Sequence, residues 1–332
     1  MNATIDISVI VPTYRRPDVL VGCLRALHAQ SHEPLEVLVS YRSDDTATAT
    51  AIASLPDSER RLVRAVLLRP GDNLACGLRN GVAASRGQLV ALTDDDAEAP
   101  ADWLERLAAR FDDPRVGGVG GRDLIDEPSR PALTVGRLQW FGRMIGNHHA
   151  GQGDPREVDF LKGVNCCFRG DVLRDLGVDT RLVGAGNVVH WELAICLPLK
   201  RAGWRLIYDP AITLVHHAAP RQDGDDNHRG GFNADALRDM VHNETLVLFD
   251  QLGPVQRAAY LAWGTLMGVG ITPGVAQSLR AVLTGRETSS QALRRWRATQ
   301  LGRVNGLRTW WRDAEDQPLD PQRPALPEAK RA

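Results

Sequence analysis

Three adjacent carboxylates, Asp94, Asp95 and Asp96, close the apolar run "QLVALT". Neighbouring like charges repel, and an unpaired buried carboxylate is costly. The run therefore ends either in a solvated turn or around a divalent cation, which takes oxygen ligands. Two more loops carry comparable groups: "PTYRRP", residues 12–17, with two guanidiniums, and "SYRSDD", residues 40–45, with two acids. Farther on, Trp191-Glu192 opens "WELAICLPLKRAGW", and His216-His217 closes "RLIYDPAITLVHH". On a strand the two imidazoles point to opposite faces.

These groups need elements to position them. "ISVIVPTY", residues 7–14, reads as a buried parallel strand stopped by Pro12. Val19, Leu20, Cys23, Leu24 and Leu27 follow at helical spacing, with Asp18 near the start. "LEVLVSY", "RAVLLR" and "QLVALT" read as further strands. Helical segments separate them, one opened by the N-cap candidates Ser43, Asp44 and Asp45 and one ending at Gly87. Strand and helix alternate four times in the first 110 residues, which predicts a parallel sheet covered by helices. Ligands bind beyond the carboxyl ends of such strands, so the three loops converge on one crevice. From Gly121 to Asp159 the regularity fails, as in a long functional loop or short hairpins. Residues 233–285 read as helical and 291–332 as a charged, Pro-rich tail, disordered over 312–332.

The bulk numbers bound the function. A length of 332 residues suits one large domain with an appendage, or two lobes. The formal net charge of -1 gives no global field for nucleic acid. Five scattered cysteines without a Cys-x-x-Cys pair argue against a disulfide framework or structural zinc and fit a reducing compartment. The N-terminus lacks the pattern of a signal peptide, and no run of about 18 apolar residues appears. The nearest candidate, Ala258 to Thr272, reads as a buried helix, with an interfacial helix as the alternative.

Taken in order, these motifs resemble family 2 glycosyltransferases of the GT-A fold, over roughly residues 5–220. "SVIVPTYRRPDVLVGCLRAL" resembles the opening strand and helix, and "LRNGVAASRGQLVALTDDDAEAPADWLERL" the segment with the Asp-x-Asp metal motif. "GVNCCFRGDVLRDLG" resembles the acceptor-side loop, and "HWELAICLPLKRAGWRLIYDPAITLVHH" the base helix and closing histidine strand. The resemblance implies a Rossmann-like, mostly parallel α/β sheet flanked by helices, with a C-terminal helical extension. It divides the chain into a nucleotide-sugar half (1–120), an acceptor and catalytic half (121–232), the extension (233–290), and the tail (291–332).

The implied activity is metal-dependent, inverting transfer of a sugar from a UDP-, GDP- or dTDP-sugar to a saccharide or lipid-linked acceptor, in polysaccharide or glycolipid assembly. The implied metal ligands are Asp96, Asp94 and His216; Asp94 alternatively meets the ribose or a metal-bound water. Imidazole favours Mn²⁺ over Mg²⁺. The donor residues are Pro12, Thr13, Tyr14, Arg16, Tyr41, Asp44, Arg79, Asp94 and Asp95; the acceptor residues are Trp140, Asn165 and Trp191. Glu192 takes the place of the base, in Trp191-Glu192 where the family usually shows Glu-Asp. After the second strand the usual acidic pair is replaced by Ser40-Tyr41, so Asp44 or Asp45 substitutes or Tyr41 stacks on the nucleotide base. A cytoplasmic protein, peripheral at the inner membrane face through 233–285, suits such an acceptor. The alternatives are an impaired GT-A binding module and a nucleotidyltransferase.

Overall fold

The computed structural model describes residues 5–125, 130–217, 219 and 231–316. Four β-branched runs form parallel strands: β1 (Ile7–Pro12), β2 (Glu36–Arg42), β3 (Val63–Leu68) and β4 (Leu89–Leu92). Between them run α1 (Pro17–His28), α2 (Thr46–Ala53), the short α3 (Asp57–Arg60) and α4 (Leu74–Ala84). Pro17 starts α1, whose buried face is Leu20, Cys23, Leu24 and Leu27. Asp45 caps α2 by accepting from the Thr48 amide, and Asn73 caps α4 by accepting from the Cys76 amide.

The chain continues through β5 (Ala97–Glu98), α5 (Trp103–Ala108), β6 (Val116–Leu124), the hairpin β7 (Arg137–Leu138) and β8 (Met144–Ile145), and β9 (Arg156–Val158). Then come β10 (Cys166–Arg169), α6 (Gly170–Leu176), α7 (Trp191–Arg201) and β11 (Arg205–His216). The main sheet has the order β3-β2-β1-β4-β10-β6-β11-β5, with β9 paired to β11. β10 runs antiparallel between β4 and β6, whereas β6 and β11 are parallel. The segment that ends at His216 is one strand, β11, with a register shift between Asp209 and Thr213.

Alternation along each strand divides the core in two. Ile10 and Leu38 pack on the face covered by α4, α6 and α7, while Ile7, Val9 and Val11 pack against α1 and α5.

A helical unit follows: α8 (Ala234–Gln251), α9 (Pro254–Leu266), α10 (Val275–Leu283) and α11 (Ser289–Asp316). Here the structure corrects the reading of 291–332 as a tail, since α11 lies along α8. Every proline of that stretch (Pro318, Pro321, Pro324, Pro327) lies beyond the helix, among residues outside those described. Their composition masked a helical face formed by Ala292, Ala298, Thr299 and Gly302. Gly302 and Gly306 permit the close approach: a Cβ on Gly302 would sit 2.6 Å from the Arg238 carbonyl oxygen and 2.7 Å from Val241 Cβ. Among the described residues no helix is long and apolar enough to cross a membrane.

Substituting Gly302→Val should therefore separate α11 from α8 and destabilise the protein by about 1–3 kcal/mol, read as a lower thermal midpoint. An unchanged midpoint would show that α11 is not seated as described.

Candidate active site

The carboxyl ends of β1, β2 and β4 open onto a cleft. Pro12, Thr13, Tyr14 and Arg16 line it from the loop after β1, Ser40 and Arg42 from β2, and Asp72, Asn73 and Gly77 from the start of α4. Asp94, Asp96 and His216 form its acidic end, and Gly186 and Asn187 belong to the loop before α7.

The three aspartates occupy three environments. Asp94 is part-exposed, with 41% of its side chain open to solvent. Asp95 is fully buried and points away from the cleft into a set of donors. Thr13 Oγ1 donates to its Oδ2 at 2.5 Å, Arg16 Nε donates to the same oxygen at 3.1 Å, and Arg16 Nη2 pairs with Oδ1. Burial pushes the Asp95 carboxyl up to about 7 against the pull of Arg16 and Thr13. Because all these contacts are donors, the pocket is built for the ionised form. Asp96 is buried too, but faces the cleft. Its Oδ2 accepts from Arg16 Nη1 and from the Ala219 amide, both at 3.0 Å.

The other Asp96 oxygen carries the decisive feature. Oδ1 is buried without a hydrogen-bond partner and faces His216 Nε2 at 3.3 Å. His216 Nε2 also lies 3.9 Å from Asp94 Oδ2. One ligand atom from each of Asp94, Asp96 and His216 falls within 4.8 Å of the others. Burial would raise the Asp96 pKa, but contact with His216 and the charge of Arg16 hold it at about 2. Burial opposes charge on His216, yet Asp96 and Asp94 raise its pKa. The oxygen–oxygen–nitrogen set, with one buried lone pair left open, fits a divalent cation.

Tertiary structure assembles this set. The short strand β5 follows Asp96 directly and pairs with the end of β11, placing Ala97 opposite His216. His216 then faces the aspartates, while His217 points out to Glu98 at 3.0 Å. Behind His216 stands Asp123 of β6, fully buried, with Oδ2 4.0 Å from His216 Nδ1 and an ion pair to Lys162. Sequence reasoning missed Asp123, Lys162 and Asp72, which sit in no local pattern that signals a site, and passed over Arg42 within "SYRSDD" in favour of that loop's two acids.

Glu192 lies in the first turn of α7 and is not among the residues that line the cleft. Burial pushes its carboxyl up to about 7, helped by Asp94 and opposed by its own backbone N–H and by Lys162. A carboxylate near 7 is matched to accepting a proton at neutral pH. His190 precedes α7 in a left-handed conformation (φ 73°) that sets the helix entry.

Several expected site residues lie elsewhere. Tyr41 is 6% exposed and packs in the core beside α1, so it does not stack in the cleft. Alternation along β2 turns Ser40 to the cleft side, where its hydroxyl donates to the Gly77 carbonyl. Asp44 is exposed and paired with Arg15 at 3.5 Å, outside the cleft lining, and Asp45 serves as the α2 cap. Arg79 lies two residues beyond Gly77 on α4, a rotation of about 200° that takes it from the cleft wall. Asp95 supports the site from below rather than lining it. Arg16, expected to bind the donor, has its guanidinium committed to carboxylates and is not free to grip phosphate.

On the acceptor side, Asn165 is fully buried and satisfied: it accepts from Trp103 Nε1 at 2.9 Å and donates to the carbonyls of Ile212 and Arg122. It ties α5 to β6 and β11 and contacts no open space. Trp191 is 7% exposed and packs in the core against Gly163. Trp140 is 62% exposed on the β7–β8 turn, edge-on to Phe141, which in turn meets Trp263 of α9.

This arrangement of sheet, cleft and acidic end defines a sugar-transfer fold of the GT-A class, and comparison agrees. The solved structure of the mannosyltransferase PcManGT from Pyrobaculum calidifontis, in complex with GDP-Man and Mn²⁺, superposes with a TM-score of 0.57 at 20% identity, covering 94% of this chain and 88% of that one. The family model described as "Glycosyl transferase family 2" matches residues 8–177, and the chain belongs to that family. Among curated relatives, the glucosyl-dolichyl phosphate glucuronosyltransferase of Haloferax volcanii is 26% identical over 222 residues, 63% of this chain and 68% of that protein. The pre-mycofactocin glycosyltransferase of Mycobacterium tuberculosis is 29% identical over 226 residues, 67% of this chain but only 46% of its own length.

Asn165→Ala should cost about 1–3 kcal/mol by stranding Trp103 Nε1 and two carbonyls, measured as thermal destabilisation. A variant of unaltered stability whose defect lay only in acceptor KM would contradict this structural role.

Proposed function

We propose that the chain is a metal-dependent, inverting glycosyltransferase that moves a sugar from a nucleoside-diphosphate sugar to an acceptor hydroxyl. The observation that carries the reading is the convergence of Asp94, Asp96 and His216 at the acidic end of the cleft beyond the strand ends, with the buried Asp96 Oδ1 left open. Asp94, Asp96 and His216 would hold Mn²⁺ or Mg²⁺, which neutralises charge on a diphosphate leaving group. Arg16 and the Ala219 amide fix Asp96 through Oδ2, so that Oδ1 is presented to the cleft.

In this reading Glu192 takes the proton from the acceptor hydroxyl as its oxygen attacks the anomeric carbon. The bond from that carbon to the phosphate oxygen breaks, nucleoside diphosphate departs, and the configuration inverts in a single displacement. Residues 1–120 hold the nucleotide, with Pro12, Thr13 and Tyr14 along its path. Tyr14 is held under the Arg42 guanidinium at 4.4 Å, and Arg42 donates to the Asp72 and Ala185 carbonyls. Arg42 and Asp72 replace Tyr41 and Asp44 as the groups at the base end. The nucleotide is UDP, GDP or dTDP. Residues 121–232 form the acceptor half, and the exposed face of Trp140 offers a platform for a saccharide or lipid-linked acceptor. Five free cysteines support action in a reducing, cytoplasmic compartment. Nucleic acid is not a partner in this reading.

Adding Mn²⁺ at 100 times its Kd should stabilise the wild type by about 2.7 kcal/mol, and Asp96→Asn should abolish that shift. Chelation should stop transfer; a chelator-resistant enzyme would remove the cation from the reaction. The products should be nucleoside diphosphate and glycoside, and release of pyrophosphate would overturn the assignment.

Glu192→Gln should lower kcat by about 10²–10⁴-fold. In the wild type kcat/KM should rise with pH and level off above about 7, as Glu192 ionises. The stability sign is opposite. A carboxyl raised from its ordinary 4.5 disfavours the folded state as pH climbs from 4.5 through 7, and the loss persists above that range. Glu192→Gln should thus be more stable than wild type at pH 8, by roughly 1 kcal/mol or more, with the gap closing by pH 4. Full turnover by Glu192→Gln would exclude Glu192 as the base.

A further inference from the structure

The helical unit presents a surface that the transfer chemistry does not use. Helix α10 has no buried residue. Val275, Leu279 and Leu283 stand at i, i+4 and i+8, and are 49%, 57% and 76% exposed. That spacing sets them on one face. Leu266 and Met267, at the end of α9, are also exposed. The segment Ala258 to Thr272, which reads as a buried helix with an interfacial one as the alternative, contributes mainly this end, since Tyr260 and Gly264 of α9 are buried. Along the outward side of α11, opposite its seat on α8, Leu293, Leu301, Val304 and Trp311 recur at helical intervals and are all exposed.

The charge around these residues is one-sided. Residues 254–312 contain nine arginines, no lysine and a single acid, Glu287, although the whole chain carries a formal charge of -1; acids return only at the far end of α11, with Asp313, Glu315 and Asp316. Six of those arginines are exposed, among them Arg280 and Arg286 beside the α10 stripe and Arg297 and Arg308 within the α11 line.

We infer that α10, the end of α9 and the outward line of α11 form a docking surface for an anionic lipid membrane. An apolar stripe in a field of arginine is the pattern that inserts Leu and Val at the acyl boundary while guanidiniums meet lipid phosphates. Charge complementarity selects this occupant. A second copy of the chain, related by a two-fold axis, would bring arginine against arginine. The surface is independent of the proposed reaction, and a chain that docked without transferring sugar would keep it.

The test is co-sedimentation of the full chain with phosphatidylcholine vesicles, with and without phosphatidylglycerol, at low and high salt. Binding should be at least tenfold tighter to the anionic vesicles and should fall as salt rises. The double variant Leu279→Glu, Leu283→Glu should lose it at least tenfold with an unchanged thermal midpoint. Arg280→Ala and Arg286→Ala should each weaken it about fivefold, and donor hydrolysis should be unaffected in all of them. Equal affinity for neutral and anionic vesicles, or a double variant that binds like wild type, would overturn the inference. So would a concentration-dependent dimer that the double variant dissolves in a chain that ignores vesicles.

Discussion

Arg16 reaches from the loop after β1 beneath the triple aspartate, and the acidic end of the cleft depends on that reach. Two carboxylates, Asp95 and Asp96, are buried there within two residues of each other, and neither could stay ionised unpaired. The guanidinium pairs with Asp95 through Nε and Nη2 and sends Nη1 to Asp96. A point charge on a flexible stem would not satisfy both in fixed geometry; a planar fork does. Because Arg16 occupies one side of Asp96, the other side is committed to the cleft. The proposed cation site would thus be prepared by an arginine that is not among its three candidate ligands.

The rest of the molecule keeps this arrangement in place. β5 pins the backbone after Asp96 to the end of β11, and so delivers His216. Asn165 and Trp103 lock β6, β11 and α5 together beside it. The C-terminal helices participate as well. Asn243 of α8 binds the carbonyls of Val183 and Val189 and the amide of Val183. It thereby braces the loop that carries Gly186 and Asn187 into the cleft. The extension thus supports a loop of the cleft without lining the cleft itself.

Much of the fold was legible. Apolar alternation and helical spacing located β1 to β4 and the helices between them, because burial on a sheet or helix face imposes those periods directly. The acidic triplet at a strand end, Glu192 at a helix start and the histidine pair at a strand end were legible for the same reason: each sits at a recognisable boundary. The errors have a common origin. Tyr41 was given a place in the cleft because motif position took precedence over strand alternation, which turns Ser40 there instead. Asn165 and Trp191 have residue types suited to sugar binding, but polar and aromatic groups also hold cores together. The tail was misread because four prolines beyond residue 317 coloured a stretch whose first part is helical.

The amino-acid sequence by itself determined the first four strands with the helices between them, the family and the candidate chemistry, since these rest on local periodicity and on motifs a few residues long. Only tertiary structure decided which oxygen of which aspartate is open, that Asp95 is a buried support, and that Asp123 and Lys162 stand behind His216. Those outcomes depend on contacts between residues tens to more than a hundred positions apart. Side-chain burial and charge pairing arise only when the sheet brings such residues together, so no local pattern records them.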